Sequence, residues 1–184
     1  IGWVRGNLVP SKDSTLEILK LKNEIESLQN KLNQARTQAP EGSEKFAQGS
    51  DTIKVKFTYK DSSYRALGED EIKDTVTVTW DDLFYAVSPL MIDELSNKDL
   101  LLSIKYFLYE KAKPKIDKLK KYGSGSIGAF DFDKDNYQTI KVQFKALGLI
   151  AKSSKSRSVK DKGTYFCLTP YGDEVMTKLR AIKK

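Results

Sequence analysis

Histidine is absent from all 184 residues of this sequence, and its absence excludes much of enzyme chemistry. Without an imidazole there is no catalytic triad, no histidine-ligated zinc ion and no side chain whose ordinary pKa lies near neutrality. The one cysteine, Cys167, provides neither an internal disulfide nor a thiolate metal site. These absences do not exclude catalysis by a pair of carboxylates in a cleft. We predict that the protein is not an enzyme and carries no metal ion or cofactor.

Further absences concern compartment and ligands. No apolar run reaches the length of about 18 to 20 residues that spans a bilayer, and nothing resembles a signal peptide. With the single cysteine, this favours a cytoplasmic protein without a membrane partner. No G-x-x-x-x-G-K-[ST] loop is present, and the glycine cluster 123–128 lacks the lysine that grips phosphate, so we interpret it as a flexible loop. The chain begins with Ile1 rather than methionine, which leads us to expect a further domain upstream.

A heptad pattern runs through residues 14–36. Its apolar residues alternate at spacings of three and four, which places one apolar seam along a supercoiled helix. The seam residues that we predict to pair two chains are Ile18, Leu21, Ile25, Leu28 and Leu32. Isoleucine alternating with leucine favours a parallel dimer, and a single helix docked on its own domain is the alternative. Pro10 and Pro40 bracket the segment.

Alternation then predicts two strands. Residues 39–50 are polar and contain glycine, which is typical of a linker. In residues 53–59 every second side chain is apolar, and residues 75–80 repeat this alternation. The polar stretch 60–74 between them is predicted to be a long hairpin loop.

Two helical patterns follow. After Trp80 the apolar spacing lengthens to three and four, which predicts a helix through Met91. A second helix is predicted from about Lys98 to Ala112, and Pro114 marks its end or a new start. The inward residues of this second helix are predicted to be Leu101, Ile104, Phe107 and Leu108.

A third helix and the segments after it point to a fold. Gly148 ends this helix, because glycine enters the left-handed cap conformation at little cost. Its buried stripe is predicted to consist of Tyr137, Ile140, Phe144 and Leu147. A strand beginning at 149–150 and a second strand at 164–169 can form a hairpin, and a helix over 170–182 closes the domain. A helix, a two-stranded ribbon and a closing helix in this order predict a winged-helix arrangement.

Positive charge is concentrated in the C-terminal part of the chain. Residues 1–110 carry 14 Lys and Arg against 18 Asp and Glu, a net of −4, whereas residues 111–184 carry 18 against 7, a net of +11. Lysines that displace counterions from phosphates give nucleic-acid-binding proteins this charge pattern. The alternative is a lysine-rich surface that keeps a protein soluble. The predicted nucleic-acid contacts on the third helix and the hairpin are Lys134, Gln138, Lys141, Lys145, Lys152, Lys155, Arg157, Lys160 and Lys162.

Some residues favour a protein partner over DNA. Asp131, Asp133 and Asp135 stand at the start of the helix that would enter a groove, where they repel phosphate, although they can also cap that helix. Val142 and Ala146 lie on its outward side and offer little that reads base edges. A winged helix can also dock on a protein, so that alternative stays open.

Four segments carry a family resemblance: GWVRG (2–6), TWDDLFYAVSPLM (79–91), TIKVQFKALGLI (139–150) and LTPYGDEVMTKLRAI (168–182). With the heptad segment, they resemble the C-terminal region of a bacterial family of uncharacterised proteins. Members of this family begin with a domain of unknown function that is similar to Toll/interleukin-receptor or nucleoside-processing folds. The resemblance implies that any enzymatic domain lies upstream of this chain, and it supplies no residue roles.

Together these patterns predict an α+β protein with an N-terminal coiled-coil helix and a winged-helix-like domain with an added β-hairpin. The predicted parts are a connector at 1–13, a coiled-coil helix at 14–38, a linker at 39–50 and the α+β domain at 51–184. We expect a non-enzymatic module that binds nucleic acid, most simply duplex DNA, as a dimer. The alternative is a protein-interaction and oligomerisation tail of a larger bacterial effector protein.

Overall fold

The chain forms an α+β fold in the residues that the computed structural model describes, which are 12–61, 71–119 and 127–182. This confirms the α+β part of the predicted fold class. The chain divides into two units, Ile1–Gln38 and Ala39–Lys184. The α-helices of the described part are α1 (Lys12–Arg36), α2 (Trp80–Val87), α3 (Asn97–Leu119), α4 (Lys134–Ala146) and α5 (Pro170–Arg180). Its strands are β1 (Thr52–Asp61), β2 (Glu71–Thr79), β3 (Leu95–Ser96), β4 (Ile127–Phe132), β5 (Ile150–Lys152) and β6 (Tyr165–Leu168).

The first unit contains the 25-residue helix α1. The predicted seam residues all lie on it, and each is 49 to 56% exposed. Leu16 and Leu19, outside the seam, are exposed to nearly the same degree. Most of the predicted connector, residues 1–11, lies outside the described residues. The exposed apolar residues of α1 form a face that a second chain can cover. The coiled coil itself stays a prediction.

The first sheet has the strand order β2-β1-β4, with both pairs antiparallel. Val55 of β1 lies opposite Val76 of β2, and Phe57 lies opposite Phe132 of β4. The alternation predicted for β1 is confirmed, because Val55, Phe57 and Tyr59 are buried. Lys54 and Lys56, which alternate with the apolar residues of the strand, are exposed. One face of the sheet therefore covers the core, and the other faces solvent.

Strand β4 is missing from the sequence prediction, which interprets the glycine cluster 123–128 as a flexible loop. The strand brings Phe130 and Phe132 into the core. Gly128 and Asp131 in the same strand weaken its local signal, since both residue types are depleted in strands. Of the predicted flexible loop, residues 123–126 lie outside the described residues, and residues 127–128 begin β4 instead.

Two predicted boundaries are wrong. The strands extend into the predicted hairpin loop 60–74, because β1 runs through Asp61 and β2 begins at Glu71; residues 62–70 lie outside the described part. Helix α3 also continues through Pro114, which is exposed. A proline there removes one main-chain hydrogen bond, and water can reach the carbonyl that it leaves free.

Helix α2 begins where Thr79 caps it. The Thr79 side chain accepts a hydrogen bond from the Asp82 main-chain N–H at 3.0 Å. The predicted helix through Met91 is confirmed in part, since α2 ends at Val87 and a 3-10 helix, Ser88–Met91, follows. Met91 is buried, but Leu90, which the helical pattern places inward, is 49% exposed.

Helices α3 and α4 supply most of the remaining core. On α3, Ile104 and Leu108 are buried as predicted, whereas Leu101 and Phe107 are half-buried. The stripe predicted for α4 is confirmed, because all four of its side chains are buried. At the start of α4, the Asp133 side chain accepts a hydrogen bond from the main-chain N–H two residues later, at 2.9 Å.

Gly148 ends α4 and leads into β5 of the second sheet. It has a φ of +67°, and the Leu149 N–H after it donates to the Phe144 carbonyl at 2.9 Å. The second sheet has the order β3-β6-β5, with both pairs antiparallel. Helix α5 follows β6 and packs closely, because a Cβ on Gly172 would lie 1.9 Å from the Leu149 carbonyl oxygen.

The segment 39–50, predicted as a linker, packs on the rest of the second unit. The Asp81 main-chain N–H donates to the Gly49 carbonyl at 2.9 Å, and the Gln143 side chain donates to the Ala47 carbonyl. Ser43, in a 3-10 turn of this segment, is buried. These contacts join the segment to α2 and α4.

Candidate nucleic-acid interface

Four of the predicted contacts lie along α4. Lys134, Gln138 and Lys145 are exposed, and Lys141 is half-buried. At 3.6 residues per turn these positions share one face, next to the buried stripe. Val142, 62% exposed, lies beside them. Helix α4 therefore presents a basic face to solvent.

Lys141 is held by neighbouring side chains. Its Nζ lies 3.3 Å from Oδ1 of Asn97 and 5.0 Å from the centre of the Tyr137 ring. The Tyr137 hydroxyl donates to Asn97, whose side-chain and main-chain oxygens lie 2.8 and 2.9 Å away. Burial raises the pKa of Tyr137 to about 12, so this hydroxyl keeps its proton. Lys141 thus joins α4 to the start of α3 and is less free than its neighbours to reach a ligand.

The hairpin formed by β5 and β6 carries four exposed lysines, of which Lys155 lies near a carboxylate of the protein. The Ser153 main-chain N–H donates to the Tyr165 carbonyl at 2.9 Å, which extends the pairing beyond β5. Lys152, Lys160 and Lys162 are exposed along the hairpin. In the described parts of the chain, none of these three lysines forms an ion pair. Their charges are therefore available to a ligand.

Arg157, also on this hairpin, has protein partners instead. Its guanidinium forms an ion pair with Glu94, lies 3.6 Å from Asp161, and stacks on the Tyr165 ring with Cζ 3.4 Å from the ring centre. The Arg157 side chain is only 23% exposed. Lys155 Nζ also approaches Glu94, at 3.8 Å. Two of the predicted phosphate contacts are thus directed at carboxylates of the protein, and Arg157 anchors the hairpin to the chain just before β3.

Lys155, Arg157, Glu94 and Asp161 form a charged cluster at the hairpin, and its two carboxylates are ionised at neutral pH. A hydrogen bond from the Ser153 side chain, followed by the charges of nearby cations, holds the pKa of Glu94 below its ordinary value. A hydrogen bond from the Gly163 main-chain N–H has the same effect on the pKa of Asp161. Two cations and two carboxylates leave this cluster with no net charge.

The aspartates near α4 have different positions from those the sequence suggests. Asp131 belongs to β4 rather than to the helix start, and its carboxylate lies 3.4 Å from Lys105 Nζ. Asp133 caps α4, and its negative charge stabilises the positive end of the helix dipole. Asp135 remains as an exposed carboxylate in the first turn of the helix.

Five of the nine predicted contacts remain as exposed lysines that form no ion pair within the described residues. They are Lys134, Lys145, Lys152, Lys160 and Lys162. Sequence reasoning missed Glu94 and Asn97, which hold Arg157 and Lys141. Glu94 is 63 residues from Arg157, and no local pattern signals a contact over that distance.

The described residues contain no group of three His, Cys, Asp or Glu side chains placed to hold a metal ion. Among the helices described, none has both the length and the apolar content needed to cross a membrane. No protein-family model matches this chain, and comparison with curated proteins and with solved structures gave no match either.

Proposed function

We propose that residues 51–184 form a winged-helix module that binds duplex DNA, and that α1 pairs two such modules. The order of elements supports the fold. In a winged helix, three helices precede a hairpin, and a short strand between the first two helices joins the hairpin as a third strand. Helices α2, α3 and α4, the strand β3 and the sheet order β3-β6-β5 follow this order. Strand β4, between α3 and α4, is an addition to it.

The observation that carries the proposal is the set of five exposed lysines on α4 and the hairpin. In the winged-helix arrangement, the third helix and the hairpin approach the same duplex, so these lysines can contact phosphates on both sides of a groove. Phosphate contacts of this kind give affinity and position but do not read sequence. We therefore expect strong salt dependence and modest sequence preference.

Arg157 has a positioning role in this proposal. Its ion pair with Glu94 and its stacking on Tyr165 hold the hairpin in one orientation. A hairpin with a fixed orientation keeps Lys160 and Lys162 directed at the same place, which lowers the entropy cost of binding. Arg157 acts through the hairpin rather than through a phosphate.

The test is a salt titration of binding to random-sequence duplex DNA. Each phosphate contact contributes about 0.9 to the slope of log affinity against log salt, so five contacts per chain give a slope of about −4.5 per chain. Lys145→Ala, Lys160→Ala and Lys162→Ala together should reduce the magnitude of that slope by about 2.7 and leave weak binding.

The matched control removes three exposed lysines elsewhere. Lys54→Ala, Lys56→Ala and Lys73→Ala lie on the outward face of the first sheet and change the net charge by the same amount. The control should keep the parent's slope. An equal loss in both variants would mean that only net charge matters, and an unchanged slope in the first would refute the proposed interface.

A second candidate function is a protein-interaction and oligomerisation tail. The observation that favours it is exposed apolar surface, on α1 and also on α3, where Leu102 is 49% and Tyr106 is 68% exposed. Absence of binding to duplex DNA at low salt, with the protein folded, would favour this second function.

A further inference from the structure

The outer side of α3 carries a row of four side chains at every fourth residue. Leu102 and Tyr106 form its exposed apolar middle, and Lys98 and Glu110 are exposed at its two ends. Residues four apart lie on one ridge of a helix surface. These four residues are called the α3 ridge below.

An apolar groove of about 440 Å³ runs beside the α3 ridge. Ala86 of α2 and Leu90 of the following 3-10 helix form one side of the groove. The α3 side is formed by the apolar Leu102, Tyr106 and Phe107 together with the polar Ser103 and Glu110. The exposure of Leu90, which departs from its helical pattern, opens this groove to solvent. Covering the ridge and the groove with another apolar surface would remove apolar area from water and so favour association.

The two charges of the ridge have no ion-pair partner in the part of the chain that is described. Other lysines of the same helix do have one: Lys105 pairs with Asp131, and Lys111 pairs with Asp82. Lys98 also lies in the first turn of α3, where the helix dipole disfavours a cation. An anion brought beside Lys98 would offset that penalty.

We propose that the α3 ridge binds the α3 ridge of a second copy of this chain. The ridge is complementary to itself, because its order is cation, apolar, apolar, anion. When two copies are turned antiparallel about a twofold axis near residue 104, Lys98 faces Glu110 and Leu102 faces Tyr106, and each pair occurs twice.

Packing geometry agrees with this arrangement. Ridges of residues four apart that interdigitate cross at about −50°, the commonest class of helix packing. The tyrosine of each copy then enters the groove of the other, beside Leu90. A nucleic acid would instead meet Glu110 and apolar side chains. The ridge contains none of the lysines proposed to bind DNA and no residue of α1, so this contact can be tested separately from both.

The experiment exchanges the charges of the ridge in the full chain. A background of Leu21→Asp and Leu28→Asp removes the predicted pairing through α1, so that association reports on the ridge. In that background the dimerisation constant is measured by sedimentation equilibrium. Lys98→Glu and Glu110→Lys should each weaken dimerisation by about tenfold or more, because each places like charges opposite one another twice.

An equimolar mixture of the two variants provides the decisive measurement. In the mixed dimer one chain carries glutamate at both ends of its ridge, and the other chain carries lysine at both ends. Each end contact then joins opposite charges again, so the mixed dimer should recover the affinity of the background chain. Lys118→Glu, an exposed change on another face of α3, should have no effect. Circular dichroism checks that each variant is folded.

Two results would overturn the proposal. One is a background chain that stays monomeric at every concentration reached. The other is a mixture that associates no more tightly than either variant alone, which would mean that Lys98 and Glu110 do not face each other. Tyr106→Ala provides a second check, since loss of the ring from the groove should weaken dimerisation without any change of charge.

Discussion

Replacement of Phe144 by alanine tests the placement of α4 on the core. Phe144 is completely buried, and its ring packs edge-on against Phe84 at 5.4 Å and against Trp80 at 6.2 Å between ring centres. Deletion of a buried phenylalanine ring costs about 3 to 5 kcal/mol, and edge-on ring pairs contribute beyond the buried area. Because two such pairs are lost, we expect a loss of unfolding free energy in the upper part of this range, about 4 to 5 kcal/mol.

Urea denaturation followed by circular dichroism measures this loss. Val142→Ala is the matched control, because Val142 lies on the same helix with 62% exposure and should change the free energy of unfolding by about 0.5 kcal/mol or less. A loss below about 1 kcal/mol for Phe144→Ala would refute the assignment of helix faces. The basic face of α4 would then also be misplaced, since it is defined relative to the buried stripe.

Three other predictions concern pairing, pH and packing. In the full chain, Leu21→Asp with Leu28→Asp should lower the molar mass measured by light scattering at low concentration and leave the melting temperature of the second unit unchanged. If the molar mass does not change, the dimer contact lies elsewhere. In the folded protein the pKa of Glu94 is lower than its ordinary value of 4.5. The ionised Glu94 side chain therefore stabilises the fold above pH 4.5, and this stabilisation is lost as the pH falls through the lowered pKa of the folded state. Glu94→Gln should therefore reduce the melting temperature at pH 7 and flatten its decline below about pH 4.5; parallel pH profiles for parent and variant would contradict this. Gly172→Ala should cost about 1 to 3 kcal/mol of unfolding free energy, because the added methyl group meets the Leu149 carbonyl; a neutral effect in urea denaturation would mean that α5 packs less closely on β5.

The local patterns of the sequence predicted much of the second unit correctly. Alternating apolar residues indicated β1, since side chains of a strand point to opposite faces. The spacing of Tyr137, Ile140, Phe144 and Leu147 indicated the buried side of α4, and Gly148 indicated its end. Each of these inferences depends on residues within a few turns of one another, where the backbone geometry is the same in every protein.

Other features depended on partners that lie far away in the sequence. Strand β4 pairs its backbone with β1, and the glycine, alanine and aspartate within it weaken the local strand signal. The exposure of Leu90 follows from the change from α-helix to 3-10 helix at Ser88, which the apolar spacing alone does not show.

In the candidate site, too, some features follow from the sequence and others only from the fold. The sequence by itself determined that the C-terminal part is basic and which lysines lie on α4 and the hairpin, since charge and helical spacing are properties of the chain. Only the tertiary structure decided that Arg157 faces Glu94. It also decided that Lys98 and Glu110 have no ion-pair partner among the described residues. An ion pair forms between groups that folding brings within about 4 Å, and sequence separation carries no information about that distance.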